Sequence, residues 1–207
     1  MSVTVTDRTA EVVKATSVDV PELAWTLAQA FEDDPAMRYF MPDDSTRRTR
    51  LGRLFAELAL PDTLRHEETY ATPDMGAGAL WVPPGEAGSS LMETLRLIPL
   101  AGSIFGGRNL VRSLRGLAFM ESNHPKEPHW YLWILGVRPE RQGEGVGSML
   151  MRDMLDRIDD ERMPSYLEAT SPGSRDLYLR HGYEVKEEVR WPGGGPPLWL
   201  MWREAVT

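Results

Sequence analysis

Apolar residues recur at helical spacing in the first third of the chain. Leu23, Leu27 and Phe31 lie four residues apart, with Ala30 beside them, so they share one face of a helix. Asp19 precedes this stripe and is followed within three residues by a proline and a glutamate, which is typical of a helix start. The pattern predicts a helix that is capped by the Asp19 carboxylate, ends at Phe31 and packs its apolar face into a core.

The rest of the chain alternates between short extended runs and longer helical patterns. Strands are predicted where apolar and β-branched residues cluster between turn residues, and helices where apolar residues return every three or four positions. The expected strands are 11–15, 68–71, 77–82, 131–137 and 165–169, with two late strands on either side of 192–197; the expected helices are 46–60 with Ser45 as its cap, two within 91–120 that join near Gly106 and Gly107, 146–158 and 173–180. This order predicts a single α/β domain of the α+β kind over residues 1–207.

A glycine-rich turn lies between the extended run 131–137 and the helical run 146–158. Its sequence over residues 142–147 is Gln-Gly-Glu-Gly-Val-Gly. Glycine lets the chain turn tightly and approach a ligand, and the first amides of a helix favour an anion, so a diphosphate would bind at this junction. The spacing matches neither the dinucleotide-binding fingerprint nor a Walker loop. The alternative is a surface turn that happens to be rich in glycine.

The spacing Q-x-x-G-x-G, preceded by Val-Arg-Pro-Glu-Arg at 137–141, resembles the acyl-CoA-binding signature of the GNAT superfamily of N-acetyltransferases. Two further segments are similar to the puromycin N-acetyltransferase-like members of that superfamily, which are bacterial. One is His-Pro-Lys-Glu-Pro-His-Trp-Tyr-Leu at 124–132, followed by Gly-Val at 136–137, and the other is 167–185. The likeness covers about residues 122–187, while the amino-terminal half matches only loosely.

The resemblance implies the GNAT fold. This fold has a central mixed sheet of six to seven strands, in which the parallel strands 4 and 5 splay apart, with helices on both faces. It implies a helical insertion at about 87–121, before strand 4, and an acetyl-CoA-binding core at about 129–185. A bulge is expected in the strand before the signature, and Pro139 would end that strand because proline has no donor for the ladder.

The resemblance also implies the co-substrate, acetyl-CoA, and the groups that bind it. The turn would present amides to the diphosphate, and the preceding strand would bind the pantetheine arm and the thioester carbonyl. The residues so implied are Leu135, Gly136, Val137, Gln142, Gly143, Glu144, Gly145, Val146, Gly147, Ser148 and Tyr178. Two positions depart from the family pattern, because relatives often have Lys or Arg at Glu144 and Asn at Ser171. Glu144 is therefore expected to point away from the phosphates.

Tyr178 and Glu168 are the expected catalytic residues. Tyr178 would donate a hydrogen bond to the departing thiolate, because a phenol with a pKa near 10 is too weak an acid to transfer its proton fully. The alternative for Tyr178 is an aromatic core residue. Glu168 ends a predicted strand and could accept the amine proton through a water molecule, or it could form a surface ion pair with Arg175 or Arg180.

No strong general base is evident elsewhere in the sequence. Trp133 occupies the strand position where histone-type GNAT enzymes carry a glutamate, and the prolines near His124 and His129 favour structural roles for both histidines. An α-amine with a pKa near 8 loses its proton more readily than a lysine near 10.4, so a low-pKa amine is favoured. The predicted function is acetyl transfer to a primary amine of a small molecule, either puromycin-like or another α-amino or aryl amine. The alternatives are a protein N-terminal or lysine acetyltransferase and a non-catalytic acyl-CoA-binding sensor.

Composition limits the kinds of ligand and partner that we expect the protein to bind. Lys and Arg number 23 against 31 Asp and Glu, and the resulting net charge of −8 disfavours nucleic acid and favours cationic small molecules. Arg138 and Arg141 could make the phosphate site locally positive, unless they only belong to a solvated loop. With no cysteine and four scattered histidines, no metal is expected. The start lacks a signal core and the apolar run 97–105 is too short to span a bilayer, so we expect a cytoplasmic protein, monomeric or homodimeric, with no membrane partner.

Overall fold

The computed structural model describes residues 11–86, 99–107 and 109–205, and its centre is a seven-stranded sheet. The strands are β1 Val13–Lys14, β2 Thr69–Ala71, β3 Ala77–Val82, β4 Trp130–Val137, β5 Ser165–Ala169, β6 Glu184–Arg190 and β7 Pro197–Arg203. They lie in the order β1-β2-β3-β4-β5-β7-β6, and all neighbours are antiparallel except β4 and β5. The mixed sheet with parallel strands 4 and 5 confirms the predicted fold class.

Helices cover both faces of this sheet, as predicted. They are α1 Val20–Phe31, α2 Pro35–Phe40, α3 Asp44–Leu54, α4 Leu60–Leu64, α5 with residues 99–105 described, α6 Leu110–Asn123, α7 Val146–Asp160 and α8 Pro172–Arg180. On one face α1 and α4 pack against the sheet, with α3 packed on α1 and the core centred on Leu23 and Leu27, and on the other face α7 packs around Met151 and Ile158. Each such fully buried side chain contributes about 1.5–3 kcal/mol, so the apolar stripes identified in the sequence account for much of the core.

The prediction that the Asp19 carboxylate caps α1 is wrong. The Asp19 side chain makes no capping hydrogen bond to α1. It turns back instead, and its Oδ2 accepts hydrogen bonds from the backbone amide and the hydroxyl of Thr16, both at 2.8 Å. These bonds stabilise a short 3-10 turn, Ser17–Asp19, that runs directly into the helix, so the carboxylate serves the turn rather than the helix amides.

The predicted start and end of the next long helix also need correction. The capping residue is Asp43 rather than Ser45, because the Asp43 carboxylate accepts from the Ser45 amide at 3.1 Å. Helical structure does not stop at Leu60 but passes through a π turn, Phe55–Ala59, into α4. Pro61 lies in the first turn of α4, inside this continuous helical run, so its missing amide coincides with the change of helix type rather than with an end.

The inserted segment contains two helices on either side of Gly106 and Gly107, as predicted. Residues 87–98 and 108 lie outside the described part of the chain, and the early part of the first predicted helix falls among them. The second helix, α6, has one buried residue, Gly116. A Cβ atom there would lie 2.6 Å from Cζ of Phe40, so only glycine lets α6 approach α2 this closely.

The sheet opens between β4 and β5. The two strands pair only through Trp130 with Ser165 and Tyr131 with Tyr166, so the rest of β4 has a free edge on that side. On its other side β4 carries the expected bulge, because Leu80 pairs with Ile134 and Trp81 pairs with Leu132, leaving the residue between them unpaired. The split between these two strands opens the cleft in which the predicted site lies.

Candidate active site

A cleft with a volume of about 1880 Å³ runs along the split between β4 and β5. Its walls come from β4, the glycine-rich turn, the end of β5, α8, α2 and α6. A single small ligand fills roughly 300–1,000 Å³, so this cleft has room for two reactants side by side. Most of the residues predicted from the sequence line it: Leu135, Gly136, Val137, Gln142, Gly143, Gly145, Gly147, Ser148, Glu168 and Tyr178.

The turn after β4 presents a row of unbonded amides. Gly143 and Gly145 have φ values of 83° and 84°, in the left-handed region that favours glycine, and neither has another atom within 4 Å of an added Cβ. The first backbone hydrogen bond into α7 joins the Met149 amide to the Gly145 carbonyl at 3.0 Å, and in the described backbone the amides of 143–148 have no acceptor. This open cradle fits a diphosphate.

The two arginines before the turn, Arg138 and Arg141, are not free cations, because other protein groups bind both of them. Arg141 pairs with Asp74 at 3.3 Å and with Glu144 at 3.6 Å, and its side chain is only 15% exposed. Arg138 donates to the Asp74 carbonyl at 3.3 Å. Neither arginine belongs to a loosely solvated loop. Because carboxylates share the charge of Arg141, the helix amides are the main attraction for an anion in this turn.

Glu144 and Val146 are the two predicted turn residues that do not line the cleft with their own surface. The Glu144 carboxylate is directed to Arg141, which itself lines the cleft. Val146 is buried in the core beneath α7. Either residue could contribute to the site only through its backbone amide.

The free edge of β4 forms one wall of the cleft. At its end, the Gln142 side chain donates to the Val137 carbonyl at 3.0 Å and so ties the turn to the strand. Gly136 has a packing role as well, because an added Cβ would lie 2.6 Å from Cδ2 of Leu27 on α1. The backbone between Leu135 and Val137 has no strand partner on this side, and it is suited to bind the amides of an extended ligand such as pantetheine.

Tyr178 is positioned by both ends of α8. Ser171 caps the start of the helix, accepting from the Ser174 amide at 3.1 Å. At the other end Gly182 adopts φ of 82°, and the Tyr183 amide donates to the Tyr178 carbonyl at 3.2 Å, which is a Schellman ending. The ring of Tyr178 is buried against Tyr183, with centroids 6.0 Å apart. The ring of Tyr178 is therefore part of the aromatic core. Tyr178 also lines the cleft, so its hydroxyl is available to a ligand there.

The Tyr178 hydroxyl has no hydrogen-bond partner among the described side chains. Burial raises the pKa of Tyr178 above its ordinary value, and the nearby Tyr183, Asp34 and Glu168 raise the pKa further. The phenol therefore stays protonated throughout the neutral range. It can donate a hydrogen bond to an anion in the cleft, but it is too weak an acid to give up its proton.

Glu168 is half-buried near the narrow end of the split, with its Oε1 atom shielded from solvent, and it does not form the surface ion pair considered above. Arg175 pairs with Asp176 at 2.8 Å and lies over the ring of Trp199, and Arg180 donates to the Asp176 carbonyl at 3.0 Å. Burial raises the pKa of the Glu168 carboxyl to about 7, against the hydrogen bonds that it accepts. A carboxyl with this pKa can act as a base near neutral pH.

The partners of Glu168 are tyrosines from the closed end of the split. The Tyr131 hydroxyl donates to Oε2 at 2.8 Å. The Tyr166 hydroxyl also approaches the carboxyl, but without hydrogen-bond geometry, so that hydroxyl and Oε1 of Glu168 are both buried without a partner in the described structure. A carboxylate with one unused oxygen has capacity to accept a further proton or water.

His124 and His129 line the same cleft as a hydrogen-bonded pair. Their Nε2 atoms are 3.1 Å apart, and Nδ1 of His129 lies 2.6 Å from the Glu127 carbonyl. Since a carbonyl only accepts, His129 carries its proton on Nδ1 and His124 donates from Nε2. Burial and the neighbouring His129 lower the pKa of His124 to about 4, so the pair is neutral at pH 7 and forms a wall rather than a charged group.

Asp34 is a cleft residue that the sequence analysis did not identify. It caps α2, with Oδ1 accepting from the amides of Ala36 at 2.9 Å and Met37 at 3.0 Å, while Oδ2 accepts from the Thr170 hydroxyl just after β5. Burial raises the pKa of Asp34 despite these bonds. A signal for this cap is present in the sequence, because an aspartate directly before a proline is typical of a helix start, as at Asp34 and Pro35.

Aromatic side chains line the part of the cleft near α2 and α6. Phe40 and Trp191 meet edge to face with centroids 4.8 Å apart, and Phe105 lies 6.5 Å from Phe40. Trp133, at the β4 bulge, also lines the cleft. Among the described residues no three side chains of the metal-binding types cluster closely enough to hold an ion, and no described helix is both long and apolar enough to cross a bilayer.

Comparison with known proteins gives a family for this architecture. Residues 86–183 match the sequence profile of the Acetyltransferase (GNAT) family. An uncharacterized N-acetyltransferase of Schizosaccharomyces pombe is 27% identical over 202 residues, covering 91% of this chain and 81% of the relative. The solved structure of histone acetyltransferase HPA2 and related acetyltransferase from Corynebacterium glutamicum is 26% identical, with a TM-score of 0.68 over 95% of this chain and 96% of the other.

A second solved structure with a similar fold contains coenzyme A. The PaiA N-acetyltransferase of Thermoplasma acidophilum, solved in complex with coenzyme A, has a TM-score of 0.58 at 10% identity, covering 94% of this chain and 98% of the other. At that identity the likeness concerns the fold alone. Together these findings show that residues 86–183 carry the profile of the GNAT acetyltransferase family and that nearly the whole chain is similar in sequence and fold to N-acetyltransferases.

Proposed function

We propose that the protein transfers the acetyl group of acetyl-CoA to a primary amine of a small molecule by direct attack. The observation that carries this proposal is that one cleft holds the unbonded amides after β4, the free edge of β4, the Tyr178 hydroxyl and Glu168. The first two suit the diphosphate and the pantetheine arm. The last two supply what the chemistry needs, which is a proton acceptor for the amine and a donor for the thiolate.

Glu168 is the proposed proton acceptor. As the amine nitrogen bonds to the acetyl carbon, its proton passes to Glu168 through a water molecule, and the carbon–sulfur bond breaks. With the pKa of Glu168 at about 7, accepting a proton from an α-ammonium group with a pKa near 8 costs about 1.4 kcal/mol, and from a lysine near 10.4 about 4.6 kcal/mol. This difference favours α-amines and aryl amines over lysine.

Tyr178 is the proposed donor to the departing thiolate. Its hydroxyl lacks a protein partner and its raised pKa keeps the proton in place, so the hydroxyl can donate a hydrogen bond to an anion in the cleft. Removing a donor of this kind from a site that stabilises developing charge costs about 10²–10³ in rate. Asp34 holds the α1–α2 corner against the end of β5 beside Tyr178, and we assign it a positioning role.

The acceptor is proposed to carry an aromatic or other apolar group next to its amine. Phe40, Phe105 and Trp191 line the cleft on the side of the inserted helix, and α6 contributes further wall. Flat aromatic surfaces of this kind bind aromatic substituents by stacking and by burial of apolar area. The resemblance of segments 124–132 and 167–185 to puromycin N-acetyltransferase-like proteins supports puromycin as the first acceptor to test.

Protein acetylation is the second candidate, because the similar structure from Corynebacterium glutamicum is that of histone acetyltransferase HPA2 and related acetyltransferase. Two features argue against protein acetylation. The residues of α6 close one side of the cleft to a polypeptide, and deprotonating a lysine costs more than deprotonating an α-amine. A thiol-release assay with acetyl-CoA decides between them when puromycin, arylalkylamines, polyamines, aminoglycosides, free amino acids, N-terminal peptides and lysine peptides are compared. We expect the highest kcat/KM with an aromatic primary amine, and equal turnover of lysine peptides contradicts the proposal.

Tyr178→Phe separates an enzyme from an acyl-CoA sensor. We expect thiol release to fall by about 10²–10³, because one donor to the thiolate is lost. The affinity for acetyl-CoA, measured by calorimetry, should change little because the diphosphate cradle is intact. A variant with unchanged turnover would remove Tyr178 from the mechanism, and a wild-type protein that binds acetyl-CoA without releasing thiol to any amine would be a sensor.

A further inference from the structure

The cleft continues onto the side of the sheet that α1 and α4 cover. Phe31 at the end of α1, Leu54 at the end of α3 and Leu58 in the π turn line it there, together with Ile134 of β4. These four apolar side chains pack against one core cluster but remain partly exposed, and they define an arm of the cleft that we call the α3 branch. The aromatic wall proposed for the acceptor belongs to another cluster, which contains Phe40.

The π turn Phe55–Ala59 forms part of the α3 branch. Its bond joins the Leu60 amide to the Phe55 carbonyl and so encloses one residue more than a bond of an α-helix. The buried ring of Phe55 packs on Phe31 with centroids 5.6 Å apart, which fixes the turn against the end of α1. Single π turns inside helices are frequent at functional sites, and this one contributes directly to the cleft wall.

The α3 branch begins beside the part of β4 that is expected to bind the thioester. A Cβ atom added at Gly136 would lie 3.2 Å from Cε2 of Phe31. Ile134 precedes Gly136 by two residues, so both positions face the same side of the sheet. Because the diphosphate cradle follows Val137, a pantetheine arm would run back along β4, and the acyl group at its end would point toward Ile134. Two strand residues span about 6.6 Å, which an acyl chain of about four to six carbons covers.

The charged residues of the π turn and α4 that line the cleft are already paired. Glu57 pairs with Arg53 at 2.8 Å, and Asp62 pairs with Arg65 at 2.9 Å. A cationic amine would have to displace an arginine to bind either carboxylate. The α3 branch therefore suits a neutral apolar chain better than an ammonium group.

We infer that the α3 branch binds the acyl chain of donors longer than acetyl-CoA, so that the protein also transfers straight-chain acyl groups of about four to six carbons. The inference rests on the proposed function, because it uses the proposed path of the pantetheine arm along β4. The chemistry is that of acetyl transfer. The carbon–nitrogen bond forms as the carbon–sulfur bond breaks, the amine proton passes to Glu168 through a water molecule, and coenzyme A leaves as the thiolate.

The test compares acetyl-CoA, butyryl-CoA and hexanoyl-CoA by calorimetry on the full chain and by thiol release with one amine. Burial of a methylene group improves affinity about fourfold, so the two extra methylenes of butyryl-CoA should lower its Kd about ten- to twentyfold relative to acetyl-CoA. All three donors should release thiol when the amine is present.

A pair of matched substitutions locates the chain. Leu58→Trp fills the α3 branch and should abolish the preference, so that butyryl-CoA and acetyl-CoA bind alike. Leu117→Trp is the control, because Leu117 lines the cleft from α6 and is 49% exposed. It should keep the preference for butyryl-CoA and raise the KM for the amine. A thermal melt checks the folding of each variant, and Leu54→Phe, a smaller change in the same branch, replaces Leu58→Trp if that variant is unstable.

The outcomes separate this inference from the proposed function. If the wild-type protein binds butyryl-CoA no more tightly than acetyl-CoA, the acyl site is overturned and the proposed function stands. The same holds if Leu58→Trp keeps the preference and raises the KM for the amine, because the branch then belongs to the acceptor. If the donors bind but no amine releases thiol, the proposed function is overturned, while the affinity series still tests the branch. Binding of none of the three donors overturns both.

Discussion

The Tyr131 hydroxyl donates a hydrogen bond to Oε2 of Glu168 at 2.8 Å, at the last residue pair before β4 and β5 separate. Tyr131 pairs with Tyr166 across the strands, and Glu168 is two residues further along β5, on the same face as Tyr166. Burial alone would favour a protonated carboxyl, while this bond favours the carboxylate. The balance of these two effects gives the proposed base, Glu168, a pKa close to neutral pH.

The first prediction concerns pH. Because burial raises the pKa of Glu168 to about 7, the base is active when deprotonated and is lost as the pH falls below that value. With an aryl amine that stays neutral throughout, kcat/KM should rise with pH and level off above about 7. Glu168→Gln, which can still accept the Tyr131 bond, should lower kcat/KM by about 10²–10⁴ and abolish this titration. A wild-type profile that is flat between pH 5 and 9 would exclude Glu168 as the base.

A second prediction tests the hydrogen bond itself. Tyr131→Phe removes a donor that stabilises the ionised carboxyl, so the pKa of Glu168 should rise and the midpoint of the pH profile should move to higher pH. At a pH well above this midpoint the variant should reach most of the wild-type rate, because the base is still present. A role of Tyr131 in packing alone would lower the rate at every pH without moving the midpoint.

A third prediction concerns the glycine-rich turn. Alanine at Gly145 has room for its methyl group but must adopt a left-handed φ of 84°, at a cost of about 1–2 kcal/mol. We expect the turn to relax and the affinity for acetyl-CoA to fall about tenfold. Gly194→Ala is the matched control, with φ of 79° and equally open space in the turn between β6 and β7. It should lower thermal stability by a similar amount without changing the acetyl-CoA affinity.

A fourth prediction concerns the acceptor wall. A methyl group at Gly116 would overlap Phe40 at 2.6 Å, so Gly116→Ala should push α6 away from the aromatic side chains that line the cleft. The KM for the amine should rise several-fold while the affinity for acetyl-CoA stays constant, because the phosphate cradle is untouched. Gly102→Ala in α5, where the nearest atom to an added Cβ is 3.7 Å away, serves as the control. Equal changes in both constants would argue against a separate acceptor wall.

Strongly periodic segments were predictable from the sequence. The stripe of Leu23 and Leu27 identified α1, and the strand 165–169 was predicted with the limits that β5 has. The caps were less predictable, because Asp19, Asp43 and Ser45 are all good capping residues within a few positions of a helix start. Which of them bonds to the helix amides depends on backbone angles that composition does not specify.

The chemistry of the site was only partly predictable. The sequence identified Tyr178 and Glu168 as candidates but left the role of each open between catalysis and structure. Their surroundings come from distant parts of the chain, with Tyr131 on β4 and Asp34 at the corner before α2. A pKa depends on burial and on neighbouring groups in space, so it could not be obtained from residue order.

By itself the sequence determined the elements whose physics is local. The alternation of apolar residues indicated strands and helices, and the glycines of residues 142–147 indicated a tight turn, because both depend on neighbours within a few residues. Only the tertiary structure decided where β4 and β5 part, which groups surround Glu168, and that Ser148 at the start of α7 lies beside His181 at the end of α8. These relationships arise when elements far apart in the chain pack together, and the packing geometry, rather than residue order, sets their distances and charges.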